Sequence, residues 1–186
     1  MSTMVKTMNK PRLSVKTQTL ATIGAVVAAV VVPQLFHVLG AVSGLGTALG
    51  ETFLPMHLPI LLVGLLAGPY VGVIAGLFGP LVSFALTGMP GVAMLPFMMV
   101  ELCVYGLCAG LLHNVKMPSL AKIVIAQVAG RAIRALAILI AVYAFDNQAV
   151  SVSVIWTSIA TGLPGLLLQW SLLPLLLFWV DNRKKA

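Results

Sequence analysis

The chain has 186 residues, of which 60% are hydrophobic and only 8% charged, and its formal net charge is +7. A soluble domain carries roughly 25% charged residues, so the composition excludes that class and indicates an integral membrane protein of one domain. Most of the positive charges lie at the two ends and in one internal turn, which is the pattern that orients a protein in a bilayer rather than one that binds nucleic acid.

Residues 1–18 read as a basic cytoplasmic N-terminal tail with Lys6, Lys10, Arg12 and Lys16. The first apolar run is a full span with no small-residue cleavage site after it, so no cleavable signal is expected. A spanning helix is predicted over 19–39. Ala21, Ala25 and Ala29 recur four apart on one of its faces, with Gly24 and Ala28 beside them. Small residues at that spacing let another helix approach closely in lipid. Ordinary packing inside the chain's own bundle explains the stripe as well.

Residues 40–56 are glycine-rich, with Ser43, Thr47 and Glu51, and predict a flexible loop or a weak half-helix. Pro55-Met56-His57-Leu58-Pro59 then opens a short apolar segment that ends at Ala67. Gly68-Pro69 breaks it, and a third apolar run covers 70–86 with Pro80 inside. The glycines and prolines of 87–91 mark a turn. The fourth span, 94–112, holds Glu101, and the fifth, 120–145, holds Arg131 and Arg134. Lys116 and Lys122 flank the turn between them. After a polar loop at 145–148, the sixth span covers 150–180 with a break near Gly162-Leu163-Pro164-Gly165. Residues 181–186 read as a basic cytoplasmic tail.

The expected fold is therefore an all-α integral membrane protein, a six-transmembrane-helix bundle over 19–180 with both termini cytoplasmic. The charge distribution agrees. With the N-terminus inside, the Lys116–Lys122 turn and the basic C-terminus fall in the cytoplasm, and the loops carrying Glu51, Met89 and Asp146 have no Lys or Arg.

Glu101, Arg131 and Arg134 are the costliest residues in such a bundle, at least about 2.5–3.5 kcal/mol each at the membrane centre, so they should face inward and find partners. Glu101, Tyr105 and Cys108 share one helix face; Gln127, Arg131 and Arg134 repeat that spacing on the next helix. Where the faces meet, Glu101 pairs with one arginine. The other keeps guanidinium donors that suit a carboxylate or phosphate. A purely structural ion pair is the alternative, but one acid and two bases do not neutralise each other, which favours a ligand.

Ser153, Thr157 and Thr161 form a polar face of the sixth span, open either to a ligand or to bonds with their own backbone carbonyls, the commoner use. His57, between prolines, reaches a ligand from the lid side or serves as a solvated or capping residue. Met94, Met98 and Met99 are assigned to packing, and Trp156 and Trp179 to the interfacial aromatic belts. No G-x-x-x-x-G-K-[ST] phosphate loop is present. Three scattered histidines and the pair Cys103 and Cys108 make no metal site. No catalytic constellation and no cofactor are expected, so the chain is not read as an enzyme.

Several stretches together resemble a known family. They are Phe53-Leu54-Pro55-Met56-His57-Leu58-Pro59, the glycines from Gly64 to Gly79 with Pro80, Met99-Val100-Glu101-Leu102 with Tyr105-Gly106, Gly130-Arg131, and Leu163-Pro164-Gly165-Leu166-Leu167-Leu168-Gln169. In this order they resemble the substrate-binding S components of energy-coupling factor (ECF) transporters. The resemblance implies a multi-pass protein of the bacterial plasma membrane that captures a vitamin from outside and topples to release it inward. The implied partners are one T subunit and two ATP-binding cassette ATPases. It implies a ligand site among helices four to six, where Glu101, Arg131 and Arg134 fall, and a T-subunit docking face at Ala21, Ala25 and Ala29. The extra arginine favours an anionic vitamin, with pantothenate the first candidate. A membrane scaffold of the same six-helix shape with no transported ligand is the rival, and ligand-induced thermal stabilisation separates the two.

Overall fold

The computed structural model describes residues 14–183. Helices account for most of them, and no strand occurs among the described residues. Their order is α1 (Val15–Val42), α2 (Ala48–Phe53), α3 (His57–Ala67), α4 (Pro69–Thr87), α5 (Leu95–Leu111), α6 (Ser119–Phe145), α7 (Ser153–Thr161) and α8 (Leu163–Arg183). Among the described residues five segments are long and apolar enough to cross a membrane: Val15–Val42, Ala48–Ala67, Pro69–Thr87, Ser119–Phe145 and Leu163–Val180. The apolar helix α5 has 17 residues, about 25 Å at 1.5 Å per residue, against a hydrocarbon core of about 30 Å.

The first helix starts earlier than the sequence predicts, whereas the short helix after it and the break in the last apolar run fall where the sequence places them. The first helix begins at Val15 rather than at 19, because the Ser14 hydroxyl accepts a hydrogen bond from the Thr17 amide at 3.2 Å and caps it. Lys16 is thus inside α1; Lys6, Lys10, Arg12, Lys184 and Lys185 lie outside the described residues. The glycine-rich stretch after α1 contains α2, closed off by Leu54 in a left-handed conformation (φ 49°). The last apolar run is two helices, with Gly162 ending α7 just before Leu163-Pro164 opens α8.

The tightest contact is between α4 and α5. A Cβ on Gly106 would lie 2.1 Å from the Gly72 carbonyl oxygen, and one on Gly72 would lie 2.3 Å from the Gly106 oxygen. The two backbones touch there, an approach that a side chain on either residue would block. This contact holds α5 against α4 and fixes the depth of Glu101.

Ala25 and Ala29 are 7% and 0% exposed, and Ala21 packs against the same core. Helix α1 lies on α4 and α3 through this stripe, and a Cβ on Gly79 would meet the Ala29 methyl at 3.2 Å. Within the chain this stripe makes its close approach to α4, the ordinary-packing alternative. The outward side of α1 carries Leu20, Ile23, Val27 and Val31 instead.

Candidate functional site

The site begins at the end of the bundle where α1 and α4 finish and α3 and α5 start. Leu54, in its left-handed conformation, turns the chain into α3, and the His57 amide bonds the Leu54 carbonyl at 3.1 Å. His57 then points inward from the first turn of α3. Its ring packs at a tilt on Tyr105, 5.3 Å between centroids, and its Nε2 stands 3.7 Å from Glu101 Oε1.

Glu101 is fully buried. Its Oε1 accepts a hydrogen bond from the Tyr105 hydroxyl at 3.0 Å, and its Oε2 accepts one from Arg134 Nη1 at 3.0 Å. The carboxylate thus has a partner on its own helix and another on α6, and a buried charge requires such partners. Gly130 makes room for the arrangement: a Cβ there would lie 2.1 Å from the Tyr105 ring. The ring fills that space beside α6.

Arg131 takes a different course. Its Nη1 donates to the Ser158 carbonyl at 3.4 Å, reaching α7 rather than Glu101. Gln127, one turn earlier, joins a separate buried set. Its Nε2 donates to Gln169 Oε1 at 2.8 Å, and its Oε1 accepts from Trp170 Nε1 at 2.6 Å. Gln169 Nε2 donates in turn to the Leu54 carbonyl at 3.3 Å. This set ties α6 and α8 to the segment that carries α2.

A cavity of about 440 Å³ lies over the Glu101–Arg134 pair. Its walls come from the end of α1, α2 and the turn after it, α3, α4, the 89–94 turn, α5, α6 and α7. Of the expected site residues, His57, Glu101, Arg134, Thr157 and Thr161 line it. Tyr105, Gln127 and Arg131 do not, since Tyr105 and Gln127 are buried in contacts between helices and Arg131 faces α7. The Thr157 and Thr161 hydroxyls donate to the Ser153 and Thr157 carbonyls, at 3.2 and 2.8 Å.

Other wall residues escaped sequence reasoning. Ser83 from α4 is 1% exposed and its hydroxyl has no hydrogen-bond partner. His57 Nδ1 is likewise buried and unpartnered. Met94 and Met98, expected in packing, and Pro33 and His37 on α1 also form wall. The four-residue spacing of Pro33 and His37 was a usable signal for one shared face; nothing about Ser83 distinguishes it in an apolar run. The result is an apolar chamber in which a carboxylate–guanidinium pair, an imidazole and a hydroxyl converge, the makeup of a small-molecule site.

A family model described as ECF transporter, substrate-specific component, matches residues 16–180. No curated protein and no solved structure matches the chain.

Proposed function

The chain belongs to the substrate-specific components of ECF transporters, and from that premise we propose that it captures a small organic micronutrient in the 440 Å³ cavity. In this reading the cavity faces outward from a bacterial plasma membrane. The cargo is delivered inward in company with an ECF T subunit and two ATP-binding cassette ATPases. Family members are transport subunits, not enzymes.

The observation that carries the proposal is the chamber itself. Its volume falls in the usual range of small-molecule sites, about 300–1,000 Å³, and it combines apolar walls with a few converging polar groups. Its position at one end of the bundle suits entry from one side of the membrane. In the full topology α5 also spans, giving six spans with both termini cytoplasmic. The membrane domain is then 19–180, with α1 extending a turn beyond it, between basic tails at 1–18 and 181–186. Lys116 and Lys122 support this orientation, because the α5–α6 turn lies at the end of the bundle opposite the cavity.

The ligand is read as an anion, with pantothenate the first compound to test. Arg134 on the cavity wall supports that choice, with Arg131 adding positive charge behind it. The test is uptake. Cells making this chain with a T subunit and its ATPases should accumulate the labelled compound that the purified chain binds, and an ATPase variant unable to hydrolyse ATP should stop them. Accumulation that is indifferent to ATP hydrolysis would reject the coupling to that module.

A further inference from the structure

One turn supplies four adjacent wall residues of the large cavity: Leu54, Pro55, Met56 and His57. Its shape is not set locally. Leu54 has φ 49°, a left-handed backbone that a leucine keeps only where its surroundings over-determine it. Those surroundings come from α8 and the break before it. A Cβ on Gly165 would lie 2.6 Å from the Phe53 carbonyl oxygen, and one on Gly162 would lie 2.9 Å from Leu54 Cδ1. Gln169, one turn beyond Gly165 on α8, donates from Nε2 to the Leu54 carbonyl, which also accepts the His57 amide.

The direction of the Gln169 bond is fixed from the far end of its buried set. The Trp170 indole N–H can only donate, so the Gln127 atom that meets it is the side-chain oxygen. Gln127 then presents its amide nitrogen to the Gln169 oxygen, and the Gln169 nitrogen is left to face Leu54. The Leu54 carbonyl can only accept. Flipping either amide sets donor against donor or acceptor against acceptor, so the set has one arrangement. Gln169 itself is buried and outside the cavity wall. We propose that Gln169 is a positioning residue for ligand capture: through the Leu54 carbonyl it holds the turn that carries His57 into the cavity wall.

The test has two arms, both on the full purified chain. The binding arm rests on the capture of a micronutrient proposed above; the exchange arm needs no ligand. Gln169→Met keeps the bulk of the side chain and removes its bond to Leu54. Amide hydrogen exchange across 54–58 should then quicken by about 10-fold, while the amides of α4 and α5 keep their rates. Trp170→Phe breaks the same set at its other end, leaves the Leu54 bond in place, and should not quicken the turn. Should Gln169→Met fail to fold, Gly165→Ala presses on the Phe53 carbonyl and should loosen the same amides. In the binding arm, well below each melting temperature, affinity for pantothenate should fall by about 10-fold in Gln169→Met, the loss of one well-placed contact, and hold in Trp170→Phe. Unchanged exchange at the turn, equal quickening throughout the bundle, or as large an effect in Trp170→Phe would overturn the role. So would a loosened turn with unchanged pantothenate affinity. An unaltered chain that binds no pantothenate would count against that ligand, and the exchange arm would still decide the role of Gln169.

Discussion

Arg134 Nη1 stands 3.0 Å from Glu101 Oε2, and the carboxylate it meets is 0% exposed. This one pair joins α5 to α6 and forms the floor of the large cavity. Removing either partner strands a buried charge, which generally costs about 3–5 kcal/mol, whereas replacing both by apolar groups is often neutral. Glu101→Leu and Arg134→Met alone should each lower stability by about that amount, and the double variant should regain most of the loss. Chemical or thermal unfolding of the three variants checks this; equal losses that simply add would show that the pair is not coupled.

The glycine contacts lead to a second expectation. Gly106→Ala would press a methyl to 2.1 Å from the Gly72 oxygen, so α4 and α5 must separate. Overpacking of this kind costs about 1–3 kcal/mol or more, and the cavity floor should move with α5. Gly24→Ala, with nothing within 4 Å, is the control; it should be neutral or gain up to about 1 kcal/mol from helix propensity. Melting temperatures of both variants decide the matter.

The small-residue stripe of α1 yields a third. Ala29→Leu places a larger side chain where the alanine is fully buried beside Gly79. Melting temperature should fall and ligand affinity with it, while any protein that remains folded should still co-purify with the T subunit and ATPases. Unchanged stability with loss of co-purification would instead show the stripe to be a docking face.

Orientation is a fourth. A cysteine at Gln148, in the loop between α6 and α7, should label from outside intact cells, and one at Lys116, in the α5–α6 turn, should not. Cys103 and Cys108 are free thiols and are replaced first. The reverse pattern would place the cavity on the cytoplasmic side.

The helices were legible where apolar runs are bounded by proline and glycine. His57–Ala67 is bounded as predicted, and α4, α5 and α6 start and end within a residue of the predicted limits. The Glu101–Arg134 pair was legible for an energetic reason: isolated charges in an apolar bundle must find each other. The fate of Arg131 was not. Residues three apart on a helix differ by about 60° around its axis, enough for Arg134 to turn to α5 and Arg131 to α7. Only the positions of the neighbouring helices decide that. The alanine stripe was correctly marked as a close-contact face, but periodicity cannot say whether the approaching helix belongs to the same chain. Ser83 carried no signal, because a lone serine in an apolar helix usually bonds its own backbone.

The central claim, capture of a micronutrient in the large cavity, is tested most directly by thermal stabilisation of the purified chain against a panel of vitamins, starting with pantothenate. A cavity ligand at a hundred times its Kd should raise the melting temperature by ~5–10 °C. The rise should vanish in Thr157→Trp, which projects an indole into the chamber from α7. A panel in which no compound shifts the melting temperature, or a shift that persists in the blocked variant, would contradict the account.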